Sequence, residues 1–226
     1  MSDKEIDDIL NSQRNAPDPA LLAGITASIA SKTVPVRPLP SSSTLSAALL
    51  SICAIVPSII AAILGFQGVR QLGTARIGVI FSILLLFTIL AATLSVSGMI
   101  PGSRRLADPR ILLTLATLVS LTVFGLAFHD LDMTRFVSRG LKCLAIGLVT
   151  AAFSSLGCWF ILRRGFAVNP AMAGLATGTL AGLAGVIALE LHCPIFAVMH
   201  VTVWHTAVIP VSACLGAATG FTLARK

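Results

Sequence analysis

The sequence predicts an all-α, polytopic integral membrane protein with six transmembrane helices and both termini in the cytoplasm. Three observations carry that expectation. Hydrophobic residues make up 56% of the 226 and charged residues only 11%, whereas soluble domains average about 45–50% and about 25%. The charges fall in clusters that leave six long uncharged intervals, at 38–69, 77–103, 111–128, 143–162, 165–189 and 191–224. Lys and Arg are also divided unequally between the two sides that six crossings create.

The chain opens with a tail, residues 1–43. Ile6, Ile9 and Leu10 share one face of a short helix with Asp7 and Asp8 opposite, and the acidic residues sit near its N-terminal end, where the helix dipole favours them. A second helix is predicted to start at Asp18-Pro19, Asp as N-cap and Pro at the first helical position. Leu21, Leu22, Ile25 and Ile29 then form an apolar stripe. Two helices this short cannot bury such stripes against each other well enough to make a stable domain. Residues 33–43, rich in Pro and Ser, read as a semi-extended tether. Two uses fit the tail: a peptide that folds into a partner's groove, or a helix lying on the membrane. The acidic start, Asp3, Glu5, Asp7 and Asp8, favours the partner, because anionic lipid repels it. That same start, with no positive n-region before an apolar run, predicts that no signal peptide is cleaved.

Residues 44–226 form the membrane domain. A helix needs roughly 20 apolar residues to cross about 30 Å of hydrocarbon, which places the spans at 44–65, 77–100, 111–128, 142–162, 171–189 and 199–222. With the N-terminus inside, the cytoplasmic side receives Lys4, Arg14, Lys32, Arg37, Arg104, Arg105, Arg110, Arg163, Arg164, Arg225 and Lys226. The far side receives Arg70, Arg76, Arg135, Arg139 and Lys142. The split of 11 against 5 obeys the positive-inside rule. The net charge of +7 is thereby read as topology, and no direct nucleic-acid contact is expected.

No Asp, Glu, Lys or Arg falls deep in a predicted span, Glu190 sitting at a helix end, and this disfavours a transporter. Gly174, Gly178 and Gly182 on the fifth span, with Gly216 and Gly220 on the sixth, recur at spacings that let helices approach closely.

Cysteine and histidine supply the remaining chemistry. The topology puts His129, His192, His200 and His205 at the outer ends of the spans, joined by Cys143, Cys193 and Glu190. Soft sulfur and imidazole fit a zinc or copper site, Cys143 and Cys193 fit a disulfide, and polar caps at helix ends fit equally; neither CxxC nor HExxH is present. Cys53, Cys158 and Cys214 fall within spans and read as small hydrophobes.

Several segments carry a resemblance: GLKCL at 140–144, LRRG at 162–165, Pro170 opening a Gly/Ala-rich helix, LHCP at 191–194, Trp204-His205 eleven and twelve residues after Cys193, and ADPR at 107–110. Together they resemble the negative-regulator-of-sigma-F family of bacterial inner-membrane anti-sigma factors. The resemblance implies a non-enzymatic regulator without a cofactor, whose cytoplasmic tail holds a sigma factor of the extracytoplasmic-function class. On that reading Ile6, Ile9, Leu10, Leu21, Leu22, Ile25 and Ile29 meet the partner. Cys143 and Cys193 receive an oxidant or heavy-metal signal, with His192, His200 and His205 beside them. The rival expectation is a membrane thiol-disulfide oxidoreductase using the same two cysteines, which requires an electron acceptor such as a quinone; a small-molecule transporter stands third.

Overall fold

A computed structural model describes residues 18–32, 40–100, 107–163, 165 and 167–223. The first tail helix, with Ile6, Ile9 and Leu10, lies outside the described residues, as does most of the tether. The chain divides into two compact units, 1–38 and 39–226.

In the first unit α1 runs Pro19–Lys32. Asp18 caps it as its sequence predicts, its Oδ1 accepting from the backbone N–H of Ala20 at 2.9 Å. Leu21, Leu22, Ile25 and Ile29 are all exposed, the least so at 46%.

The second unit holds α2 (Ser42–Leu64), a short α3 (Gln67–Gln71), α4 (Thr74–Ser97), α5 (Pro109–Ala127), α6 (Phe136–Leu162), α7 (Pro170–His192) and α8 (Val198–Leu223). Six of these, all but α3, are long and apolar enough to span a membrane. Three of the helix starts are written in the sequence. Ser41 accepts from Thr44 N–H, Asp108 from Arg110 N–H with Pro109 at the first turn, and Asn169 from Met172 N–H with Pro170 there. Hydroxyl groups within the spans bond back to the preceding turn, as Thr88 to the Leu84 carbonyl, Ser95 to Ala91 and Thr179 to Leu175. Lipid offers these groups no partner, so the helix itself supplies one.

Helix α7 is the axis of the bundle: 78% of its apolar window is buried, against 22–39% for the other spans. Its glycines explain how. A Cβ on Gly178 would collide with the Ser212 carbonyl and the Ala213 backbone of α8, and one on Gly182 would lie 2.8 Å from the Ile209 Cα. Gly174 meets Gly216 in the same way, and Gly220 meets the Pro170 carbonyl. The small-residue repeats therefore serve close packing, with dispersion between touching backbones as the gain.

Two departures from the predicted boundaries and one irregular turn matter for the site. Helix α6 starts at Phe136, six residues before the predicted 142, and takes in Arg139. Arg135, in the left-handed region at φ 55°, turns the chain into it. Just upstream Thr134 donates from its backbone N–H and its hydroxyl to Asp132 Oδ1, which holds that carboxyl below its usual range. Helix α7 continues through His192 instead of ending at 189, carrying Glu190 inside, and that residue is buried at 3% exposure. Sequence reasoning used the charge as a delimiter, whereas here the charge has a partner. Helix α8 contains a π turn at Val201–His205, a feature hydropathy does not register.

Candidate thiol and metal site

The end of the bundle where α6 begins, α7 ends and α8 begins collects polar side chains out of solvent. Cys143 lies in the second turn of α6. Cys193 caps the end of α7, its N–H bonded to the Leu189 carbonyl at 2.7 Å, and Pro194 prevents the helix from continuing. The connection to α8 is short and fastened: Val198 N–H donates to the Asp130 carbonyl at 2.7 Å, and Phe196 stacks on Phe128 with centroids 5.8 Å apart.

Across 50 residues of sequence, Cys143 Sγ and Cys193 Sγ come to 3.5 Å as free thiols. His200 Nε2 lies 3.6 Å from Cys193 Sγ. His205 completes the group, and one ligand atom from each of Cys143, Cys193, His200 and His205 lies within 4.8 Å of all the others. All four residues are buried. The His205 Nδ1 sits 2.7 Å from Glu190 Oε1. A carboxylate only accepts, so Nδ1 carries the proton and a neutral ring keeps a bare lone pair on Nε2. That Nε2 is buried without a hydrogen-bond partner. The Cys193 thiol is pushed above its ordinary range, first by its hydrogen bond with Cys143 and then by burial, with opposing pulls from His200 and His205.

The π turn is what brings the two histidines to one place. Residues five apart point about 140° from one another on an α-helix of 3.6 residues per turn. The wider turn at Val201–His205 closes that angle, and the His200 and His205 rings meet edge to face at 5.5 Å. Trp204 holds the turn against α6. Its indole lies on Gly140, where any Cβ would collide, and its ring packs 5.5 Å from Phe136. On the other side α3 buttresses the end of α7: a Cβ on Gly68 would lie 2.6 Å from the Glu190 carbonyl and 2.8 Å from that of Cys193.

The profile of a family described as negative regulator of sigma F matches residues 29–225. The chain belongs to the negative-regulator-of-sigma-F family. No curated protein and no solved structure matches it. The family match takes in all six spans and begins at Ile29, so Leu21, Leu22 and Ile25 lie ahead of it.

In this member of the negative-regulator-of-sigma-F family, the LHCP segment supplies both Cys193 and a different contact. His192 turns away from the cluster and donates from Nδ1 to the Gly65 carbonyl at 3.0 Å, tying the loop after α2 to the end of α7. His129 is exposed and stands outside the cluster. Of the expected group the fold thus gathers Cys143, Cys193, His200 and His205, and leaves His192 beside it. Glu190 is the member whose part was missed. A lone carboxylate at the end of an apolar run, fifteen residues before a histidine, is the signal that pointed to it.

Proposed function

We propose that this chain is a membrane-bound anti-sigma factor that holds a sigma factor of the extracytoplasmic-function class at the bacterial inner membrane. The observation that carries the regulatory reading is the family match over residues 29–225. The tail does the holding: Leu21, Leu22, Ile25 and Ile29 stand exposed on α1, and the stripe continues the pattern of Ile6, Ile9 and Leu10 in the sequence. Burying one such side chain contributes about 1.5–3 kcal/mol, so a handful suffices for tight sequestration. An N-terminus in the cytoplasm, supported by the split of basic residues, puts the tail where sigma factors are.

Release starts at the other face. Cys143 and Cys193, 3.5 Å apart, bring the start of α6 to the end of α7, so oxidation or capture of a heavy metal there shifts how those helices pack. To move the holding equilibrium by even tenfold, the signal must favour one packing over the other by about 1.4 kcal/mol. The test is a promoter read by the regulated sigma factor. With the intact chain present, transcription stays low and rises on exposure to oxidant or cadmium. With Cys143→Ser and Cys193→Ser it should stay low under both treatments; an unchanged response removes the two thiols from the mechanism.

A further inference from the structure

We infer that Cys143, Cys193, His200 and His205 form one tetrahedral site for a soft or borderline divalent d10 cation, zinc or cadmium, with Glu190 positioning His205 from behind. The inference deepens the sensing half of the proposed function by assigning the ligand class and giving the two histidines and Glu190 separate parts. It does not depend on how the tail binds its partner.

The geometry is close to what such an ion requires. Metal–sulfur bonds near 2.3 Å and metal–nitrogen bonds near 2.0–2.1 Å set tetrahedral edges of roughly 3.3–3.8 Å between ligand atoms. Two edges already measure 3.5 Å and 3.6 Å, and no pair among the four atoms exceeds 4.8 Å. Contraction by about one bond-length fraction, on the order of 1 Å for the widest pair, closes the shell. The donor set of two sulfurs and two imidazoles is one that structural zinc uses and hard ions such as magnesium do not.

A second, independent observation points to a ligand. His205 Nε2 is a buried polar atom without a hydrogen-bond partner, in a residue 1% exposed, and a ring nitrogen of His205 lies within 4.8 Å of both sulfurs. Leaving such an atom unsatisfied in a buried site is unfavourable, and a cation removes that cost. Behind it, Glu190 Oε1 at 2.7 Å from Nδ1 fixes both the tautomer and the ring, the carboxylate–histidine–metal arrangement that orients ligands in zinc proteins. The π turn is then the device that puts the last two ligands on one side.

Charge and protons balance. Binding converts two thiols to thiolates, the M–S and M–N bonds form as the hydrated ion loses its waters, and two protons leave to solvent; no electron moves. Two thiolates cancel the charge of a divalent ion, which a low-dielectric surrounding demands.

The experiment uses the intact chain in nanodiscs under reducing conditions, with Co2+ as the spectroscopic probe. One Co2+ per chain should bind and show the intense visible bands of tetrahedral cobalt together with a thiolate-to-cobalt charge-transfer band, and Zn2+ or Cd2+ should displace it. Cys143→Ser with Cys193→Ser should remove the charge-transfer band. His200→Ala should alter the tetrahedral bands. Glu190→Gln, which keeps volume and polarity, should retain the spectrum but weaken affinity about 10–100-fold. Failure of the reduced wild-type chain to retain Co2+ overturns the site. An identical spectrum from the His200→Ala and His205→Ala double variant overturns the four-ligand assignment, and unchanged affinity in Glu190→Gln overturns its positioning role. Since binding is read from the metal, none of these outcomes is confused with failure to hold a sigma factor.

Discussion

Two regions of the molecule break the usual rule of burial in opposite senses. Helix α1 exposes Leu21, Leu22, Ile25 and Ile29, apolar groups that a monomeric soluble unit normally covers. The bundle end buries Glu190, His200 and His205, polar groups that a membrane protein normally keeps near water. The first cost is relieved by a surface, the second by a ligand or a proton partner. A regulator that receives at one region and acts at the other needs both kinds of incompleteness, and it needs a coupling between the two.

Each region can be altered by substitutions of its own. The largest effect should come from Leu22→Asp combined with Ile25→Asp. Each substitution forfeits a substantial part of the roughly 1.5–3 kcal/mol gained by burying the side chain, so affinity for the sigma factor should fall at least 30-fold, or roughly 2 kcal/mol. Reactivity of Cys143 and Cys193 toward a thiol label, measured on the same sample, should not change. If both change together, the two regions are not separable.

Gly178→Leu addresses the bundle alone. The new side chain would meet the Ser212 carbonyl and the Ala213 backbone, which cannot rotate aside, and overpacking of this kind costs about 1–3 kcal/mol, occasionally more. Thermal unfolding in detergent should shift down, and labelling of the cluster thiols should rise as α7 and α8 separate. Because the proposed release runs through the packing of these helices, sigma-factor binding should weaken as well. A smaller effect is expected at the helix cap. Asp18→Ala removes the bond to Ala20 N–H and costs about 1 kcal/mol of helix stability, so sigma-factor binding should weaken about fivefold, read by calorimetry.

The legible parts of this molecule were those written in local chemistry. Six spans followed from apolar length and charge spacing, and the capping residue Asp18 marked a helix start that the structure keeps. Glycine spacing marked α7 and α8 as helices that approach a neighbour closely, and in the structure they meet each other. At the candidate site the residue types were legible and their grouping only in part: Cys143, Cys193, His200 and His205 converge, while His192 serves a loop carbonyl and His129 stands apart. Two facts were out of reach. A π turn leaves no hydropathy signal, since it changes the angle between side chains without changing their order. The pairing of Glu190 with His205 joins two helices, and a charge that ends an apolar run reads as a boundary until its partner is seen.

The central claim, that the tail holds the sigma factor while the bundle anchors and senses, is tested most directly by comparing two chains in nanodiscs. One is intact and the other lacks residues 1–38, the first of the two compact units. Binding of an extracytoplasmic-function sigma factor from the same genome is measured for each. The account predicts tight binding by the intact chain and none by the shortened one, with Cys143 and Cys193 equally reactive in both. Equal binding by the two chains would contradict it and move the holding surface onto the membrane domain.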